Sequence, residues 1–238
     1  QANAVIQNIL PQKLAEKFRQ LAQKGLGQDI DLETGMMLIM EFGYPDSDPD
    51  VCRQKLDDLA QKFADTLNPE AEPSEIVAAF THFLFQQKGF KGNKDNYQNP
   101  DNSFINKVLD NQTGLPITLS AICVLLAKRL NLPIVGVGMP GHYIVKYSLP
   151  IEPIYFDPFH QGRLLTKKEC IQIVEQFGHS FEEHFLSQAT QRETLIRMLN
   201  NLVQVYKNSN ETKKADTLAE YIKILLNPSR NQQSERTR

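Results

Sequence analysis

The chain is 238 residues long, 41% hydrophobic and 23% charged, which leaves room for one large domain or a core with a smaller appendage. Its formal net charge is -2 and its basic residues are scattered, so it offers no field to draw in nucleic acid or an anionic membrane. Three cysteines, Cys52, Cys123 and Cys170, fall without regular spacing, which argues against a disulfide framework and for a reducing compartment. No apolar run approaches the ~20 residues that a membrane span needs. The opening Gln-Ala-Asn-Ala-Val has neither a basic n-region nor a long apolar stretch, so no signal peptide is read there and the cytoplasm is the expected location.

The first seventy or so residues read as helices. Leu14, Phe18, Leu21 and Ala22 recur at helical spacing after Pro11, with Gly25 as the stop. Asp31 to Phe42 reads as a second helix, ended by Gly43-Tyr44-Pro45. Asp48 followed by Pro49 starts a third, because the carboxylate caps free N–H groups and proline suits the first helical position. Its apolar stripe is Leu56, Leu59, Ala60 and Phe63, and a further helix is expected from Ser74 to Gln87.

The middle of the chain changes character. Gly89 to Asn102 is rich in Gly, Asn, Asp and Pro and reads as a loop long enough to be functional. A short helix, Phe104 to Leu109, leads to a break at Thr113-Gly114. Pro116 to Leu130 then carries apolar residues around nearly its whole circumference, which marks a buried helix. Strands are expected at Ile134 to Val137, Tyr143 to Tyr147 and Ile154 to Phe156, with Leu164-Leu165 as a last edge. The turn residues separating them suit an antiparallel meander. Thr166 and Glu169 form a capping box that opens another helix. Two amphipathic helices follow, one with Leu195, Met198, Leu199, Leu202 and Tyr206, the other with Ala215, Leu218, Ala219, Ile222 and Leu225. Their short link, Asn208-Ser209-Asn210, makes them an antiparallel hairpin, and the polar last ten residues are expected to be disordered.

A buried helix followed by antiparallel strands puts a helix N-terminus against a sheet, a geometry that stabilises a thiolate or a developing oxyanion. His142 opens one strand and Asp157 closes the next, so the carboxylate can orient the imidazole and fix its tautomer. The remaining histidines, His82, His160, His179 and His184, have no metal-ligand spacing and read as surface or packing residues. Gly136-x-Gly138 precedes strand-like sequence, which rules out a dinucleotide fingerprint. Neither a metal nor a cofactor is expected.

Five segments in order resemble the bacterial SirB-type transglutaminase-like family. They are Gly89-Phe-Lys-Gly-Asn93, Asn99-Pro-Asp-Asn-Ser-Phe104, Thr113-Gly-Leu-Pro-Ile-Thr-Leu-Ser120, Gly136-Val-Gly-Met-Pro-Gly-His142 and Phe156-Asp-Pro-Phe159. The hairpin, including Arg197-Met-Leu-Asn-Asn-Leu202, is similar to the tetratricopeptide-like tail of that family. The resemblance implies an α+β, papain/transglutaminase-like core flanked by N-terminal helices and a C-terminal helical hairpin. The implied divisions are a helical region over 1–72, the core over 73–187, the hairpin over 188–228 and a tail over 229–238.

It also implies that His142 and Asp157 occupy two triad positions. Active enzymes of this kind open the buried helix with Gly-x-Cys; here Gly114-Leu115-Pro116 falls at that place, and proline cannot attack a carbonyl. Cys123 shares the azimuth of Pro116 but lies ~10 Å along the helix, where a cysteine is ordinarily a small core residue. Thr118 and Ser120 are nearer the helix start, as backbone-satisfying or cleft-lining hydroxyls or as displaced nucleophiles, and Ser103 is a weaker candidate. Asn93, Asn102, Ser103, Pro116, Thr118 and Ser120 are thus expected to line the cleft beside His142 and Asp157. Two functions follow. One is a binding or regulatory module for a protein partner that is not an active cysteine hydrolase. The other is a hydrolase or acyltransferase using His142 and Asp157 with a displaced nucleophile or water.

Overall fold

A computed structural model of the protein describes residues 2–24 and 28–228. The stop expected at Gly25 and the tail expected over 229–238 lie outside the described residues. Five of the short and long helices start the same way, with an extended residue followed by proline at the first helical position. These pairs are Asp48-Pro49, Glu72-Pro73, Asn99-Pro100, Leu115-Pro116 and Asp157-Pro158. Proline has no N–H to waste there and its fixed φ is already helical. In three of the five the preceding Asp or Asn side chain also accepts a backbone N–H of the new turn.

The chain forms two compact units. One holds the described residues up to Ser47 and those from Thr190 onward. Its helices are α1 (Ala2–Lys24), α2 (Leu32–Gly43), α8 (Gln191–Asn208) and α9 (Thr212–Leu226). Helix α1 runs through Pro11 instead of starting after it, at the cost of one i→i−4 hydrogen bond. The expected hairpin is present, with α8 packed along α9, and α1 and α2 pack against it. Phe18 stacks on Tyr221 at 4.7 Å, and the Tyr221 hydroxyl donates to the Pro11 carbonyl at 3.1 Å. Asp29 accepts the backbone N–H groups of Gln191 and Arg192 at 2.5 and 3.1 Å, which satisfies free donors of α8 and complements its dipole.

The other unit is Asp48–Ala189. It contains α3 (Pro49–Ala64), α4 (Pro73–Thr81), α5 (Ile105–Asn111), α6 (Pro116–Arg129) and α7 (Lys167–Gln176). Helix α3 is part of this unit. Its buried stripe of Cys52, Leu56, Ala60 and Phe63 packs on α5 and α6, and Phe63 meets Phe80 edge-on at 5.4 Å. The helix expected from Ser74 to Gln87 splits into α4 and a π-helical stretch, His82–Gln87, where the Lys88 N–H reaches back to the Phe83 carbonyl at 2.9 Å.

Helix α6 is the axis of this unit. Every residue from Pro116 to Cys123 is buried, as are Leu125, Leu126 and Ala127. Each large apolar side chain there stabilises the fold by about 1.5–3 kcal/mol relative to exposure. The helix packs against β3 (Ile134–Val137) and β4 (Ile144–Tyr147). With β5 (Ile154–Asp157) and β6 (Arg163–Leu165) these strands form an antiparallel meander in the order β3-β4-β5-β6. Side chains alternate across it. Val137, Ile144, Tyr155 and Leu165 join Cys170 and Val174 of α7 in one cluster, while Phe156 meets Phe80 at 6.2 Å. The capping box that opens α7 is present, with Glu169 N–H on Thr166 Oγ1 at 3.2 Å and Thr166 N–H on Glu169 Oε2 at 2.8 Å. The break expected at Thr113-Gly114 is instead β2 (Thr113–Gly114), paired in parallel with β1 (Lys91–Gly92) inside the expected loop.

Candidate functional site

Val145 pairs with Phe156 across β4 and β5, so the start of β4 and the end of β5 lie at the same end of the sheet. Asp157 is the last residue of β5, and His142 lies just ahead of β4. Their side chains meet there. His142 Nε2 and Asp157 Oδ2 are 2.7 Å apart, with side chains 10% and 2% exposed. A carboxylate only accepts, so Nε2 carries the proton and Nδ1 is the ring nitrogen that faces away from Asp157.

Asp157 has a second histidine. The chain turns at Pro158–His160 in a 3₁₀ helix whose first N–H groups, from Phe159 and His160, donate to Asp157 Oδ1 at 2.9 and 3.3 Å. With three residues per turn, residue 160 returns over residue 157. His160 Nδ1 lies 2.7 Å from the same Oδ2 that His142 uses. Sequence spacing assigns His160 to surface or packing; the structure puts it on the candidate carboxylate. The usable signal was Asp157-Pro158 itself, the same start pair read at Asp48-Pro49.

Asp157 thus accepts four hydrogen bonds. Burial opposes its charge, but the hydrogen bonds and charges of His142 and then His160 outweigh that penalty and hold its carboxyl below the ordinary value. Phe159 closes one side. Its ring meets His142 edge-on at 6.4 Å and Tyr97 at 5.8 Å. It also packs on β1, where Gly92 leaves room for it. Helix α6 packs against the same 158–160 turn.

The other expected residues take different places. Asn93 lines a groove of about 640 Å³ together with Asp95, Thr113, Phe159, His160 and Gln161. Asn102 is buried and organises the loop: its Nδ2 donates to the carbonyls of Asn96 and Tyr97, and its Oδ1 accepts from Asn93 Nδ2 at 2.9 Å. Its carbonyl also receives the Leu115 N–H at the mouth of α6. Pro116 is buried as the first residue of α6. Ser103 is 2% exposed and Thr118 and Ser120 are fully buried, so these hydroxyls do not face a solvent-open cleft. None of the three oxygens has a hydrogen-bond partner.

All three cysteines are free and buried. Burial pushes each thiol up, Cys170 to about 11 and Cys123 further still. These are the conditions of inert core thiols. Among the described residues no helix is long and apolar enough to cross a membrane.

A family model described as the transglutaminase-like superfamily matches residues 50–200, a span that holds the α6 helix, the meander and the whole His142–Asp157–His160 cluster. The chain therefore belongs to the transglutaminase-like superfamily, alongside proteins named UPF0162. One of these, from Xylella fastidiosa (strain 9a5c), is 33% identical over 209 residues, covering 84% of this chain and 73% of that protein. Another, from Haemophilus influenzae, is 25% identical over 176 residues, 73% of this chain and 65% of that protein. F-box only protein 21 of Homo sapiens is 27% identical over 161 residues, which is 64% of this chain but 25% of that protein. No solved structure matches.

Proposed function

We propose that this is a SirB-type transglutaminase-like protein without a thiol nucleophile, acting in the cytoplasm as a binding or regulatory module for another protein. The observation that carries this reading is Pro116 at the first position of α6, where the resemblance calls for the attacking cysteine. Cys123, the thiol on the same helix, is fully buried with its thiol strongly disfavoured from ionising. A stretch similar to this domain makes up 25% of F-box only protein 21, which supports use of the fold as a module. The hairpin of α8 and α9, read as tetratricopeptide-like, is the proposed partner-facing element.

A second reading is favoured by one contact. The 2.7 Å bond between His142 Nε2 and Asp157 Oδ2 is the pairing a general base needs, and it supports a hydrolase or acyltransferase using a displaced nucleophile or water. The two readings separate in one assay. Purified protein is incubated with a panel of peptide, ester and amide substrates beside the His142→Ala variant. The module reading expects no turnover above that of the variant. Turnover in the wild type that vanishes in His142→Ala would overturn it.

A further inference from the structure

Three side chains of metal-ligand type converge at one end of the meander, and a catalytic pair accounts for only two of them. His142 Nε2, Asp157 Oδ2 and His160 Nδ1 all lie within 4.8 Å of one another. The ordinary interpretation is a buried aspartate serving as a hydrogen-bond hub. That explains one histidine, since one carboxylate–imidazole pair already fixes the tautomer and orientation of His142; it gives the second no task.

Three observations go beyond a hub. The donor set, two imidazoles and one carboxylate, is one that late first-row divalent ions take. The free edge of the carboxylate is already held: Asp157 Oδ1 accepts the Phe159 and His160 N–H groups at 2.9 and 3.3 Å, the kind of outer hydrogen bonding that orients a ligating carboxylate. Exposure also rises across the set, from 2% for Asp157 and 10% for His142 to 44% for His160. The cluster therefore opens to solvent on the His160 side, where the groove lined by Asn93, Asp95 and Gln161 begins. That side would be the entry path for a ligand.

We infer that His142, Asp157 and His160 form a binding site for a divalent transition-metal ion, with zinc the ion their chemistry fits best. Ligands ~2.0–2.2 Å from a tetrahedral zinc stand about 3.4 Å from one another. Each nitrogen now sits 2.7 Å from Oδ2, so both rings move outward by well under 1 Å, within reach of the exposed His160 side chain. A ring that ligates carries its proton on its other nitrogen, Nδ1 in His142 and Nε2 in His160, and Asp157 binds as the carboxylate. The fourth position, toward the groove, is left to water or to a ligand oxygen.

The test uses the full chain without a histidine tag, stripped with a chelator and titrated with ZnCl₂ by calorimetry, with Co²⁺ absorption as a second probe. One ion per chain is expected, with a rise in Tm on binding. His160→Ala, at an exposed position that leaves the fold intact, weakens binding by more than about tenfold, since losing a ligand costs at least as much as losing an outer-sphere partner. His184→Ala, at an exposed site bonded to Glu182, leaves it unchanged. Absence of binding, binding that survives His160→Ala, or equal loss in His184→Ala overturns the site.

Discussion

The ring of Phe159 fills the space where residue 92 would carry a side chain. A Cβ built on Gly92 would stand 2.3 Å from Phe159 Cδ2 and 2.5 Å from Cε2, closer than any real carbon contact. The short strand β1 and the turn that carries His160 are thereby locked through a single glycine. Gly92→Ala is expected to destabilise the protein by about 1–3 kcal/mol through overpacking, read by urea denaturation. It should also move the His142 and His160 imidazole resonances in NMR spectra, because Phe159 contacts both rings. A variant with wild-type stability and unchanged histidine signals would show that β1 and the turn are not coupled this way.

Asp157→Asn removes the charge that two imidazoles share. A loss of about 1–3 kcal/mol is expected at pH 7, because the asparagine amide cannot accept all four hydrogen bonds that the carboxylate accepts. The pH dependence has a definite sign. The folded Asp157 titrates below its ordinary value of 3.8, so its contribution is fully present above that value and is lost as pH falls through the folded one. The stability gap between wild type and variant should close as pH falls through the acid range below about pH 4. A gap that stays constant into the acid range would mean the carboxylate is not the stabilising partner.

Thiol reagents provide a direct check on the cysteines. In native protein Cys52, Cys123 and Cys170 should label far more slowly than a free thiol, and all three should label in denaturant, because each is buried and shifted upward. Fast native labelling of Cys123 would revive a thiol mechanism.

Thr118→Val and Ser120→Ala should be neutral or slightly stabilising, by up to about 1 kcal/mol. Both hydroxyls are fully buried and neither oxygen has a partner, so removing them relieves a desolvation cost without breaking a bond. A loss above about 1 kcal/mol in either variant would reveal a buried water bonded to that hydroxyl.

Much of this architecture is legible in the sequence. The apolar circumference of Pro116 to Leu130 marked the buried helix, and turn residues at Gly138 to Gly141 and Leu149-Pro150 marked the meander. These signals are local, repeated and tied to burial, which is why they can be read. Packing partners are not local. Helix α3 carries an apolar stripe that fits any neighbour, and only the fold decides that Phe63 meets Phe80. The site divides in the same way. His142 and Asp157 stood out through their strands, whereas His160 depended on a 3₁₀ turn of three residues, too short for any periodicity. Asn102 is expected in the cleft from its loop, which the resemblance brings to the site, and Thr118 and Ser120 because polar residues near a helix start invite that reading. Burial sends the first to loop organisation and the other two into the core.

Pro116 has one more consequence. Where a cysteine opens such a helix, its backbone amide helps hold the negative oxygen that appears when a carbonyl is attacked. Proline has no amide hydrogen. Under the proposed correspondence, one residue has therefore taken away the attacking atom and also a hydrogen-bond donor for the charge that attack creates. Substitution by alanine would supply the donor alone, and substitution by cysteine would supply both. Under that proposal, a carbonyl group reaching Pro116 would find neither an attacking thiol nor a backbone amide to hold its oxygen.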